Sequence, residues 1–206
     1  MPLTIGHITY ANCAPFFYYL AESGFTGEII DGVPAELNRL LAAGQLDICP
    51  SSSIEYAKNS SDYLLLPGHS ISSIGPVQSV LLFTDIPMAG LNGVPISITG
   101  ESATSVALLQ VLLREFFQIP DIDFVRQEIV PSDCREHSLP MLLIGDRALK
   151  ARKVLAESCM VIDLGELWYH YTGLPFVFAL WIVNRQAAAS KRGTTLSNRL
   201  SQRSSG

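Results

Sequence analysis

Short apolar runs alternate with segments of helical spacing along nearly the whole chain, and this alternation constrains the fold more than any other feature. It reads as an α/β protein. LTIGHITY, GEIIDGV, LDICP, VQSVLLFTD, VPISITG, FVRQEIV, MLLIGD and MVIDLG are the expected strands. LPFVFALWIVN is wholly apolar, as suits a strand buried on both faces. APFFYYLAES is a helix with Pro15 in its first turn, where a missing N–H costs nothing. PAELNRLLAAG is opened by Pro34, carries Leu37, Leu40 and Leu41 on one face, and is stopped by Gly44. SSSIEYAKN begins another helix, with Ser52 or Ser53 as its cap. TSVALLQVLLREFF is the strongest helical pattern: Val106, Leu109, Leu112 and Leu113 recur on one face behind Ser102 or Thr104 as cap. ELWYHYTG is a short helix ended by Gly173. YLLLPGHSISSIGP has little helical period, and Pro67-Gly68 and Gly75-Pro76 are expected to break it twice.

At 206 residues the chain makes one large domain or two small lobes. Apolar residues are 48% and charged residues 16%, which excludes a disordered chain. A chain this long buries about 70% of its unfolded surface and needs no disulfide or metal staple. Its net charge of −5 argues against binding a phosphate backbone, so no nucleic-acid partner is expected. The charge is uneven. All acidic residues lie at or before Glu166, whereas Arg185, Lys191, Arg192, Arg199 and Arg203 follow it. That basic end reads as a solvated segment rather than a nucleic-acid arm. Cys13, Cys49, Cys134 and Cys159 form no C-x-x-C pair and have no ligand spacing, so reduced thiols and no metal are expected. No signal peptide is evident at the start, and FVFALWIV is far short of a membrane span. A cytoplasmic protein without a membrane partner is the expectation, and the oligomeric state stays open.

Three junctions share one grammar: a strand, a small polar residue, then a helix. They are HITY-Asn12, DICP-Ser51-Ser52-Ser53, and SITG-Glu101-Ser102-Ala103-Thr104-Ser105. In an open parallel sheet such junctions align at the carboxyl ends of the strands, where ligands bind. Helix starts there offer unpaired N–H groups and partial positive charge, an anion site without Lys or Arg. A carboxylate-bearing small molecule is the matching ligand class. The competing reading is that these residues only cap helices. Groups for acid–base work are sparse: His7, His69, His137 and His170 all read as structural or solvated. Asp146 of LLIGDRAL is the best-placed carboxylate, with capping of the next helix as its plainer role. No H-E-x-x-H, G-x-S-x-G, G-x-G-x-x-G or P-loop occurs.

Taken together, GHITYANCAPFFYYL, GVPAELNRLLAAGQLDICPSSSIEYAKN, LPGHSISSIGPVQSVLLF, ITGESATSVALLQVLL, LLIGDRAL and DLGELWYHYTGLPFVFALWIV resemble, in this order, the chorismate dehydratases of the futalosine route to menaquinone. The likeness covers about residues 3–185. It implies a two-lobe fold of the type II periplasmic binding proteins, with the ligand in the cleft between lobes. Lobe one is then 1–76 plus 185–206, lobe two 77–173, and 174–184 the return crossing strand.

The resemblance places the family's cleft Asn on Asn12 and its cleft Ser on Ser79. Ser51, Ser52, Thr104 and Ser105 would hold carboxylates, with Asp146 beside them. The implied reaction removes water from the dicarboxylate chorismate to give 3-[(1-carboxyvinyl)oxy]benzoate, with no metal or organic cofactor. In that scheme Asn12 and Ser79 orient and donate, and the enolpyruvyl carboxylate of the substrate takes the ring proton; Asp146 is the rival base. Two other readings stand beside it: a non-catalytic carboxylate-binding protein of the same fold, and the sister enzyme that forms dihydroxynaphthoate. The ESATS and GPVQSV motifs favour the dehydratase. The resembling proteins continue beyond residue 206, so a truncated or frameshifted member with exposed apolar surface on lobe one is a further expectation, and a degenerate product with no activity is the third rival reading.

Overall fold

The structure is a computed structural model that describes residues 2–10, 13–100, 103–129 and 140–189. The chain divides into two compact units, residues 1–71 with 178–206 and residues 72–177.

The first unit is built on a five-stranded sheet in the order β2-β1-β3-β10-β4. Its strands are β1 (Thr4–Ile8), β2 (Glu28–Gly32), β3 (Ile48–Ser52), β4 (Tyr63–Ser73) and β10 (Phe176–Asn184). β1 runs parallel to β2 and β3, whereas β10 returns antiparallel to β3, with Leu180 opposite Ser51 and Trp181 opposite Pro50. The sheet is therefore mixed rather than purely parallel. Helices α1 (Ala14–Glu22), α2 (Pro34–Ala42), α3 (Ser53–Lys58) and α7 (Arg185–Ala189) belong to this unit. Leu37 and Leu41 of α2 are fully buried, and the helix ends at Gly44 with φ +68. Both follow from the sequence pattern. They pack with Gly6, Ile8, Leu46 and Cys49 of one sheet face. Gly6 has to be glycine, because a Cβ there would sit 2.8 Å from Cys49 Sγ and 3.0 Å from Leu46.

β4 departs from expectation. It runs unbroken through Pro67 and Gly68, because an edge strand tolerates a residue without an N–H and Gly68 takes φ +80 at no steric cost. The chain does leave the strand before Gly75.

The second unit holds the sheet β7-β6-β8-β5-β9. Its strands are β5 (Val80–Thr84), β6 (Ile96–Ile98), β7 (Phe124–Arg126), β8 (Met141–Ile144) and β9 (Met160–Asp163), with helices α4 (Ala103–Phe117), α5 (Gly145–Leu155) and α6 (Leu164–Thr172). β6 is parallel to β7 and β8, and β5 is antiparallel to both its neighbours, β8 and β9. Every residue of β5 is buried, as befits a strand flanked on both sides. The buried face of α4 is Thr104, Ser105, Leu108, Leu109, Leu112 and Leu113, one step round from the expected stripe, with Val106 only half-buried. α6 ends at Gly173, whose φ of +67 makes the left-handed C-cap that the sequence announces.

Large apolar side chains reach the surface on both units, Tyr18, Tyr19 and Leu65 on the first and Ile74 and Leu174 on the second. No helix among the described residues is long and apolar enough to cross a membrane.

Candidate functional site

In the first unit the carboxyl ends of β1 and β3 lie together, and the two serines selected from the sequence stand at the end of β3. Ser51 is fully buried, and its Oγ has no ordinary hydrogen-bond partner; the Cys49 thiol, on the same face of the strand, is its polar neighbour. A thiol satisfies a hydroxyl only weakly, and a buried hydroxyl left wholly unmet costs about 1–3 kcal/mol. Ser52 occupies the N-cap position of α3 but makes no capping hydrogen bond through its side chain. The capping bond expected of its hydroxyl is not made. Asn12 lies outside the described residues, as do Glu101, Ser102, Cys134 and His137.

The face of the sheet carrying α1 holds an aromatic group that sequence reasoning passed over. Phe16, in the first turn of α1, packs against Trp181 at 4.9 Å and His69 at 5.4 Å between ring centroids. Trp181 is almost fully buried with its Nε1–H unpartnered. His7, half-buried, packs its ring at a tilt against Phe17, 4.0 Å between centroids, and pairs with Asp31 at 2.6 Å.

The two thiols of this unit, Cys13 and Cys49, are buried. Burial pushes Cys13 up to about 11 and Cys49 up to about 12, the latter eased slightly by Ser51 and raised further by Cys13. Neither supplies a thiolate near neutral pH.

A cavity of about 130 Å³ also lies in this unit, lined by Leu3, Ile48, Leu64, Leu66, Val183 and Ala187 among others. It opens at the amino end of β3, away from Ser51 and Ser52, and contains none of the residues selected from the sequence.

In the second unit the strand directions gather four of the selected residues at one end of the sheet. β6 and β8 are parallel, so the segment leading to Thr104 and Ser105 and the turn into Asp146 leave the same edge. β5 starts there, since Val80 pairs with Ile144 and the Gly145 N–H donates to the Ser79 carbonyl at 2.7 Å. Thr104 and Ser105 are buried inside the first turn of α4 rather than ahead of it, so Thr104 is not the cap. Asp146 is also inside its helix. The N-cap position of α5 is Ile144, followed by Gly145 at φ +57, which corrects the capping role expected of the carboxylate. Asp146 instead sits half-buried in the first turn, where the helix dipole favours a negative charge.

The residue that organises this edge is one the motif search missed. Asp163, at the end of β9, is buried, and its carboxylate accepts from Val77 N (3.0 Å), Gln78 N (2.6 Å), Gly165 N (2.9 Å) and Glu166 N (3.1 Å). Its Oδ1 caps α6 and also accepts from Val77 N, while its Oδ2 accepts from Gln78 N, just before Ser79. Gln78 stands at φ +66, a left-handed conformation that costs a residue with a Cβ about 1–2 kcal/mol. Ser79 itself is half-buried. Part of the signal was readable: Asp163-Leu-Gly-Glu166 has the spacing of an N-cap followed by Glu at the third position.

Comparison with known proteins decides the family. Residues 3–204 match the family model described as menaquinone biosynthesis. The chain belongs to this family. Members of the menaquinone biosynthesis family that resemble it include the protein named chorismate dehydratase of Thermus thermophilus, 37% identical over 90% of this chain and 71% of that one. The protein of the same name from Campylobacter jejuni is 30% identical over 92% of this chain and 71% of its own length. Among solved structures, a protein from Archaeoglobus fulgidus matches with a TM-score of 0.66 at 19% identity, covering 89% of this chain and 68% of that one. The periplasmic aliphatic sulphonate binding protein SsuA of Escherichia coli matches at 0.61 and 15% identity, covering 97% and 70%. These likenesses establish the fold: this menaquinone biosynthesis family member has the architecture of the periplasmic binding proteins.

Proposed function

We propose that the chain is a lyase that eliminates water from chorismate, giving 3-[(1-carboxyvinyl)oxy]benzoate. The observation that carries this reading is its 37% identity, over 90% of its length, to a relative named chorismate dehydratase. In this reading a ring proton at the ether position leaves, the neighbouring hydroxyl departs as water, and the ring becomes aromatic. Aromatisation supplies much of the driving force, so the protein has to supply orientation and donors more than strong acids or bases.

Asn12 and Ser79 orient the substrate and donate hydrogen bonds, and the substrate's own enolpyruvyl carboxylate takes the proton. Ser51, Ser52, Thr104 and Ser105 receive the carboxylates, with Asp146 bordering the site. The Ser51 hydroxyl, with only the Cys49 thiol beside it, and the Ser52 hydroxyl, which makes no capping bond, support that assignment. A small-molecule dicarboxylate is the partner, in a cytoplasmic setting.

The test is to incubate purified protein with chorismate and follow the ultraviolet spectrum, with mass spectrometry for loss of one water. Turnover is expected, with a loss of about a hundredfold or more in Asn12→Ala and in Ser79→Ala. No turnover, with chorismate still raising the melting temperature, would instead favour a binding protein of this fold.

A further inference from the structure

We propose that Asp163 is a positioning residue for Ser79 and acts through the backbone of Val77 and Gln78. The inference rests on the reading of Ser79 as a donor to substrate. A helix cap requires only the bonds to Gly165 and Glu166. The further bonds, to Val77 N at 3.0 Å and Gln78 N at 2.6 Å, add nothing to α6. They tie down a segment more than 80 residues away in sequence. The bond to Gln78 is short and charge-assisted, the strong kind, and it falls on the residue held at φ +66. The next residue is Ser79, whose carbonyl is fixed from the other side by Gly145 N at 2.7 Å. Ser79 thus stands between two anchors, and Asp163 is the one that maintains an unfavourable backbone conformation.

Gly165 completes the arrangement. A Cβ there would lie 2.8 Å from the Gly75 carbonyl and 3.1 Å from Val77 Cβ, so glycine lets the start of α6 approach this same segment. An Asn in place of Asp163 offers one acceptor oxygen instead of two, and cannot serve all four N–H groups.

The experiment compares Asp163→Asn, the double variant Asp163→Asn with Gln78→Gly, and Ser79→Ala. It reads kcat and KM for chorismate and hydrogen exchange of the peptide 74–82. The expected result is a kcat lowered about tenfold or more in Asp163→Asn with KM little changed, and faster exchange in the peptide. Gln78→Gly should recover about threefold or more of kcat in that background, because glycine takes positive φ without help. Because glycine at positive φ also stabilises the fold, kcat is referred to the folded fraction read from the melting curve, which a mere loss of stability would leave unchanged. Should Asp163→Asn fail to fold, Asp163→Ser keeps a capping oxygen for α6, is too short to bridge to Val77 and Gln78, and carries the same expectation. Unchanged kcat and unchanged exchange would overturn the proposal, as would a kcat loss that Gln78→Gly does not relieve. No turnover by the unmodified protein, or full activity in Ser79→Ala, would sink the proposed function instead. In that case the exchange measurement still decides whether Asp163 holds the segment before Ser79.

Discussion

Ser51 and Ser79 each stand at the end of a strand, one in each unit, and the polar groups around them are used in opposite ways. Around Ser79 they are committed: Asp163 accepts four N–H groups, Gly145 holds the Ser79 carbonyl, and the left-handed Gln78 is locked between them. Around Ser51 they are left over. The Ser51 hydroxyl is buried without an ordinary partner, Ser52 sits in a cap position without capping, and the Trp181 N–H is buried and unpaired. The first arrangement suits a group that must be aimed before substrate arrives, since fixed donors need no reorganisation during the reaction. The second suits a surface that gains its hydrogen bonds from a ligand, because unmet groups are paid for by the fold until something binds.

This contrast is broken most directly by removing the two hydroxyls one at a time. Ser79→Ala should lower kcat/KM about a hundredfold or more while leaving the melting temperature nearly unchanged. Ser51→Ala should behave differently. It removes a buried hydroxyl whose polar neighbour is only the Cys49 thiol, so the free protein should gain about 1 kcal/mol in denaturant unfolding, while KM for chorismate rises about tenfold and kcat stays. A Ser51→Ala protein that is less stable and binds as before would show that Ser51 has a structural partner, and the contrast would fail.

The glycines sharpen the comparison through stability and turnover together. Gly165→Ala drives a methyl against the Gly75 carbonyl, a backbone atom that cannot swing away, and should destabilise by about 2 kcal/mol and slow turnover as well. Gly6→Ala pushes on side chains, Cys49 Sγ and Leu46, and should cost about 1–2 kcal/mol with kcat retained. Equal effects on kcat would mean that the segment before Ser79 is not rigid in the sense argued.

Much of the scaffold was legible because local rules act locally. Pro34, Gly44 and Gly173 mark helix ends, and the Leu37/Leu41 stripe marks the buried face of α2. What escaped the sequence depends on long-range placement. Pro67 argued for a broken strand, but its edge position makes it harmless. Asp146 and Thr104 looked like caps because their types suit caps, whereas the backbone starts each helix a residue or more earlier. Asp163 was within reach as a cap through Asp163-Leu-Gly-Glu166, yet its hold on Val77 and Gln78 joins segments that no local pattern connects.

The remaining effect distinguishes the buried thiols of the first unit from ordinary ones. Burial raises Cys49 to about 12 and Cys13 to about 11 from 9.0. A raised thiol favours the protonated form in the folded state. Each thiol's contribution is therefore fully present below about pH 9, where the unfolded thiol is still protonated, and is lost as pH rises toward the folded value. Unfolding free energy should fall by about 1 kcal/mol per thiol between pH 8 and pH 10. Cys49→Ala should flatten that slope whatever it does to the absolute stability. Because the alkaline limb depends on burial and not on the site, it should be the same with and without Ser79. A slope that Cys49→Ala leaves untouched would mean that the thiol ionises freely in the folded protein, and that the packing of Cys49 against Gly6 and Leu46 is looser than its contacts imply.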